Sequence, residues 1–265
     1  MRKRPQTCSG AFSFGGKKVK QAEERQDYLP GNERVIHQRS DIFTYSMDAV
    51  LLARFVRVSG AEKAADLCSG TGAVPLVMSL RTEAVIDALE LQPLLCELTE
   101  RSIKTNNLEK QVRVMERDLR DLSGFALGKY DLVTCNPPYF PVTAEKGVNV
   151  NTSKTLARHE VSCTLDDAVK AAAALVKSKG RAAFVHRPER LGDIITTMQK
   201  RKLEPKRLCF VHPREDRPAN ILLIEAVKDG NPGMTTEPPW IVYDKEGNYT
   251  PEFYEHYFKG GKSYA

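Results

Sequence analysis

The stretch Asp66-Leu67-Cys68-Ser69-Gly70-Thr71-Gly72 decides the reading of this chain. It closes a short apolar run of strand type, Lys63 to Leu67, and passes through two glycines straight into a helical pattern over residues 72 to 81. Glycines in such a turn let the backbone approach a ligand and aim the start of the next helix at it, as at the switch point of a doubly wound sheet. The dinucleotide fingerprint G-x-G-x-x-G needs glycine at 68, 70 and 73, whereas the chain has Cys68, Gly70 and Ala73. A cofactor without a pyrophosphate fits this turn better.

Outward from the turn, strands and helices alternate. Upstream, Ser46 is a natural N-cap for Met47 to Phe55, whose apolar positions 47, 50, 51 and 55 share a helix face. Downstream, the pattern predicts a strand over Ala84 to Leu89, a helix over 93 to 106, and strands over Val112 to Met115 and Tyr130 to Cys135. A helix over 165 to 178, a strand over Arg181 to His186 and a helix over 189 to 201 follow, then strands over Leu203 to Val211 and Ala219 to Val227. Apolar strands separated by helices predict an α/β fold with a parallel sheet covered on both faces. Only residues 212 to 218 separate the last two strands, which predicts an antiparallel closing hairpin at one edge. From Asp229 an aromatic-rich tail with Trp240, Tyr249 and Phe253 reads as a hairpin packed on the domain, Asp244-Lys245-Glu246-Gly247 forming its turn; an aromatic surface for bases is the alternative.

The chain has 265 residues, 41% hydrophobic and 28% charged, a balance that excludes disordered and fibrous classes. It contains no apolar run long enough for a membrane helix, and the basic N-terminus lacks the apolar segment of a secretory signal, so a cytoplasmic location is expected. Cys8, Cys68, Cys96, Cys135, Cys163 and Cys209 form no C-x-x-C pair and no cluster with histidines, so neither disulfides nor a metal site is expected. The net charge of +6 resides in Arg2, Lys3, Arg4, Lys17, Lys18 and Lys20; the remaining 245 residues balance. Residues 1 to 27 therefore read as a basic arm, either a polyanion contact or a plain leader.

Three later positions carry chemistry. Glu90, at the end of the second strand and 18 residues after Gly72, can accept both hydroxyls of a ribose, or else is a helix-start acid favoured by the macrodipole. Asp118 follows the third strand and can accept from an adenine amino group, or else is a solvated acid beside Arg117 and Arg120. The fourth strand delivers Asn136-Pro137-Pro138-Tyr139. Two prolines remove two N–H donors and leave carbonyls free, so the Asn136 amide oxygen and a main-chain carbonyl can hold the two N–H bonds of a planar NH₂ while Tyr139 stacks on its ring.

In that order and spacing, residues 66 to 72, Glu90, Asp118 and Asn136 to Tyr139 resemble the Rossmann-type S-adenosylmethionine-dependent methyltransferases, with Asn-Pro-Pro-Tyr in the form used on amino nitrogens. Phe43-Thr44-Tyr45-Ser46-Met47-Asp48-Ala49-Val50-Leu51-Leu52-Ala53 and Ala157-Arg158-His159-Glu160 narrow the resemblance to bacterial adenine-N6 methyltransferases that modify valine tRNA next to the anticodon. The resemblance covers roughly residues 28 to 250 and implies a mostly parallel seven-stranded sheet with helices on both faces. It further implies that Asp66, Gly70 and Gly72 shape the methionine end of an S-adenosyl-L-methionine pocket, with Cys68 standing where the family more usually has glycine. Glu90 would hold the ribose and Asp118 the adenine, and Tyr45, Ser46 and Asp48 would close the pocket. Asn136, Pro137, Pro138 and Tyr139 would serve catalysis, with no metal, and His159 would serve structure or RNA contact.

The expected organisation is the arm, a methyltransferase domain over 28 to 228 and a packed C-terminal extension over 229 to 265. The expected function is N6-methylation of a tRNA adenosine by a monomer. Phe140 to Thr155 would be a substrate loop, and the arm with Arg187, Arg190, Lys200, Arg201, Lys202, Lys206 and Arg207 would supply phosphate contacts. The alternatives are another RNA amino-group methylation, a binding protein that keeps the fold without turnover, and glutamine-N5 methylation, which presents the same planar amide nitrogen. Those enzymes usually carry a helical domain of some 70 or more residues before the first strand, and only about 60 residues precede it here.

Overall fold

The computed structural model describes residues 24–31, 33–42, 44–139 and 163–259. Its centre is a sheet of seven full strands: β3 (Lys63–Leu67), β4 (Val85–Glu90), β5 (Val112–Glu116), β6 (Tyr130–Cys135), β7 (Val176–His186), β8 (Leu203–His212) and β9 (Ile221–Lys228). They lie in the order β8-β9-β7-β6-β3-β4-β5, parallel from β7 to β5, with β9 antiparallel to both β7 and β8. Two further two-residue strands, β10 (Thr235–Thr236) and β11 (Trp240–Ile241), pair with β8. The chain runs from β3 outward through β4 to β5 and then returns to the other side of β3 as β6. The crevice outside the carboxyl ends of β3 and β6 is therefore the topological switch point.

One face is covered by α1 (Met47–Phe55), α2 (Ala73–Met78) and α3 (Pro93–Thr105), the other by α4 (Leu165–Leu175) and α5 (Leu191–Lys200), and each face has its own buried apolar cluster. The strands β3, β4, β6 and β9 are buried along nearly their whole length, which explains why their sequences read as apolar runs.

Four features differ from the sequence reading. The helix expected over 165 to 178 stops at Leu175, and β7 starts at once with Val176 pairing Tyr130. Val176 is extended, with φ −70° and ψ 136°, and Lys179 takes a left-handed φ of 62°, so the helix ends at Leu175. Second, β1 (Glu24–Tyr28) pairs antiparallel with β2 (Val35–Arg39), so ordered structure crosses the boundary drawn at residue 27. Charged and polar residues with no apolar run hide this hairpin. Tertiary bonds seat β2 on α3 and the residue that follows it: Val35 N–H to Asn106 Oδ1 and His37 N–H to Ser102 Oγ, both 2.9 Å.

Third, the sheet is widened beyond seven strands by β10 and β11. Fourth, the tail continues past the turn at 244 to 247 into α6 (Pro251–Phe258), N-capped by Thr250. Trp240, Phe253 and Tyr257 are buried with α1, while Tyr249 and Tyr254 remain exposed. The tail is tied down by Arg207, which bonds Glu237 at 2.6 Å and the buried Glu225 at 3.0 Å and stacks on Phe55, a structural use of a residue expected to contact phosphate. The arm through residue 23, the 140 to 155 loop and Ala157 to Glu160 lie outside the described residues.

Candidate active site

A cavity of about 560 Å³ opens at the switch point. Its floor is the turn after β3. Cys68, Gly70 and Gly72 have φ of 55°, 59° and 83°, so the turn is left-handed three times in five residues. That conformation costs a residue with a Cβ about 1–2 kcal/mol, and Cys68 bears it. The Cys68 sulfur lies 3.8 Å from that of Cys163, and both side chains line the cavity. Gly72 does not line it: a Cβ there would meet Thr99 Cγ2 at 2.7 Å, so this glycine serves the packing of the turn on α3.

Asp66, expected to shape the methionine end of the pocket, lies beneath the turn, fully buried and not among the residues that line the cavity. Its Oδ1 accepts from Thr134 Oγ1 at 2.7 Å, and burial pushes its carboxyl up to about 7 despite that bond. Ser69 also lowers it through a side-chain hydrogen bond, and Thr71 Oγ1 has no hydrogen-bond partner among the described residues. Buried polar atoms of this kind are costly unless a ligand or water meets them. Ser69 and Thr71 are cavity residues the sequence reading missed, although they sit between the glycines it singled out.

Glu90 ends β4 on the cavity wall and braces the turn: its two oxygens accept from Gly70 N–H at 2.8 Å and Gln92 N–H at 2.9 Å. Burial raises its carboxyl, while those N–H bonds hold it down. A carboxylate has about four lone-pair sites, and these two bonds do not by themselves fill them. Asp118 also lines the cavity, but both its oxygens accept from the Arg120 guanidinium, chiefly a hydrogen bond that holds its carboxyl below the ordinary range. Leu119 and Leu89 add apolar wall nearby.

The rim comes from two elements distant in sequence. Tyr45, Ser46 and Asp48 enter from the start of α1. Ser46 occupies the N-cap position, yet its side chain makes no cap bond and faces the cavity instead. Asn136, Pro137, Pro138 and Tyr139 enter from the end of β6. The Tyr139 hydroxyl lies 2.6 Å from Asp48 Oδ2 and 2.8 Å from Asn136 Oδ1. Its ring is 5.0 Å from His186 and 5.1 Å from the Arg187 guanidinium, which donates to the Asn220 carbonyl at 2.7 Å. Burial pushes the His186 imidazole down to about 4, and Arg187 backbone N–H donates to its Nδ1, so a neutral ring stands beside Tyr139. Arg187 lines the cavity, a role the sequence reading gave only to RNA phosphate.

The polar set fits S-adenosylmethionine. Ser69 and Thr71 offer hydroxyls at the turn, Glu90 offers a carboxylate for a ribose, and Leu89 and Leu119 offer apolar surface for a base. Among the described residues, no group of His, Cys, Asp or Glu is arranged to hold a metal ion, and no helix is long and apolar enough to cross a membrane.

Comparison with known proteins agrees with the cavity. A protein from Parabacteroides distasonis named tRNA1(Val) (adenine(37)-N6)-methyltransferase is 28% identical over 178 residues, 67% of this chain and 74% of its own length. One of the same name from Haemophilus influenzae is 26% identical, covering 83% of this chain and 92% of its own length. Among solved structures, one described as a predicted O-methyltransferase from Agrobacterium tumefaciens matches with a TM-score of 0.66 at 24% identity, over 82% of this chain and 98% of that one, a likeness of fold. The methyltransferase small domain model matches residues 36–189, the span from β2 to the end of β7 that builds floor, wall and rim. With that match over more than half of its length, the chain belongs to the methyltransferase small domain family and is an S-adenosylmethionine-dependent methyltransferase.

Proposed function

We propose that this enzyme methylates the N6 amino group of an adenosine in tRNA, the anticodon-loop adenosine of valine tRNA being the first candidate. The observation that carries the reading is the acceptor group at the cavity rim: Asn136 Oδ1, with two prolines after it that have no N–H to compete, beside a carboxylate within reach of the same hydroxyl. An amino nitrogen conjugated to a ring is a poor nucleophile. Acceptors that favour its pyramidal, positively charging form stabilise the transition state more than the ground state. The choice of tRNA adenosine over a glutamine amide is supported by relatives of that name along up to 92% of their length.

When bound, S-adenosylmethionine supplies a sulfonium methyl as electrophile. The chain's own part is alignment and exclusion of water. Glu90 holds the ribose hydroxyls while its other lone pairs brace the glycine turn. Ser69 and Thr71 bind the polar methionine end, and Leu119 covers the adenine. Asn136 orients the incoming amine, and the Tyr139 ring stacks on the base. An anticodon-loop base is already splayed from its stack more readily than a duplex base, so reaching this rim costs less. The enzyme acts as a cytoplasmic monomer in this reading, with the arm through residue 23 gripping RNA phosphates.

The test is methyl transfer from labelled S-adenosylmethionine to unmodified tRNA, in parallel with a release-factor protein, followed by nucleoside mass analysis. N6-methyladenosine in tRNA supports the reading, and label in protein replaces it with glutamine methylation. Asn136→Ala should abolish transfer while cofactor binding persists.

A further inference from the structure

Asp48, in the first turn of α1, faces Asn136 across the cavity rim, and the Tyr139 hydroxyl bridges them at 2.6 and 2.8 Å. Burial, with the Asp48 carboxylate beside it, holds the Tyr139 phenol well above its ordinary range, so the hydroxyl keeps its proton and is a neutral donor. A phenol has one proton and satisfies one acceptor at a time. Two acceptors converging on a single point suit a donor with two N–H bonds, which is what an aromatic amine presents.

We propose that Asp48 is a catalytic residue: with Asn136 it forms a two-acceptor seat for the substrate's amino nitrogen, at the point the Tyr139 hydroxyl now marks. This rests on the amino-group methylation reading above, puts Asp48 in the place that the sequence reading gave to a main-chain carbonyl, and departs from a purely cofactor-closing role for Asp48. Asn136 is neutral and can only orient the amine. Asp48 adds a negative charge opposite the positive charge that grows on nitrogen. The nitrogen lone pair forms the bond to the methyl carbon as the methyl–sulfur bond breaks with its pair left on sulfur; the surplus proton passes from nitrogen to Asp48 Oδ2 and on to water. Entry of the amine turns the Tyr139 hydroxyl off both acceptors and frees its ring for the base.

The probe is sinefungin, which carries a C–NH₃⁺ group where S-adenosylmethionine has its sulfonium methyl, measured against S-adenosylhomocysteine, which has no charge there. Calorimetric titration of the full chain should show that Asp48→Asn cuts the preference for sinefungin about tenfold, the difference between a charge-assisted and a neutral hydrogen bond, with S-adenosylhomocysteine affinity within about twofold of wild type. Tyr139→Phe, which releases both acceptors, should raise the preference about threefold. In methyl transfer, Asp48→Asn should lower kcat about 10²-fold. Equal losses for both ligands would reduce Asp48 to cofactor holding, and an unchanged preference would remove it from the methyl site; either overturns the proposal. Because the preference requires no methyl acceptor, a tenfold loss without N6-methyladenosine in tRNA would support the seat while overturning the tRNA reading.

Discussion

Glu90→Gln separates the two readings of that residue, ribose holder and backbone brace. The carboxylate accepts from Gly70 N–H through one oxygen and Gln92 N–H through the other. Glutamine keeps one of these bonds and turns an NH₂ donor against the other N–H, leaving a buried donor without a partner. That costs about 1–3 kcal/mol of folding stability. The lost outward lone pairs also remove at least one charge-assisted bond to a ribose hydroxyl, worth about 1.5–3 kcal/mol, or roughly a 10- to 150-fold weaker Kd. Calorimetry with S-adenosylhomocysteine and urea unfolding should be run at pH 8, because burial raises the Glu90 carboxyl and the ionised form is the one in question. A Kd that moves less than about threefold while stability falls would leave Glu90 as a brace only, and no change in either would refute the hydrogen-bond argument itself.

Arg207→Met leaves Glu225, 2% exposed, and Glu237 without their cation and should cost about 3–5 kcal/mol in urea unfolding; adding Glu225→Gln should recover part of it. Gly72→Ala should destabilise by at least about 1–2 kcal/mol, since φ is 83° and the new Cβ meets Thr99 Cγ2, and Thr99→Ser should relieve the contact part of that loss. Asp66, pushed up to about 7 by burial, binds its proton more tightly folded than unfolded. Its contribution to stability is therefore full near pH 4 and lost as pH rises to about 7, and Asp66→Asn should flatten that decline in unfolding curves from pH 4 to 8.

The turn from Asp66 to Gly72 and the strand-helix alternation were legible because buried parallel strands and left-handed turns restrict which residues can occupy them. The same economy exposed Asn136-Pro137-Pro138-Tyr139, where two prolines in succession at a strand end leave few structural uses. Other features depended on partners far away in sequence. The β1–β2 hairpin carries no apolar signature, and β2 is seated by bonds to Asn106 and Ser102, some 65 to 71 residues away in sequence. Asp66 and Gly72 belong to the right turn, yet whether a side chain faces the cavity or the packing beneath it depends on Thr134 and Thr99. Asp118 carries the right charge, but Arg120 already engages it. Sequence alone determined the α/β order, the glycine turn and the Asn-Pro-Pro-Tyr segment at a strand end, since each follows from local backbone rules. Only the tertiary structure decided that Asp48, 88 residues before Asn136, shares one hydroxyl with it, because that convergence is made by α1 packing against the sheet and no local pattern encodes it.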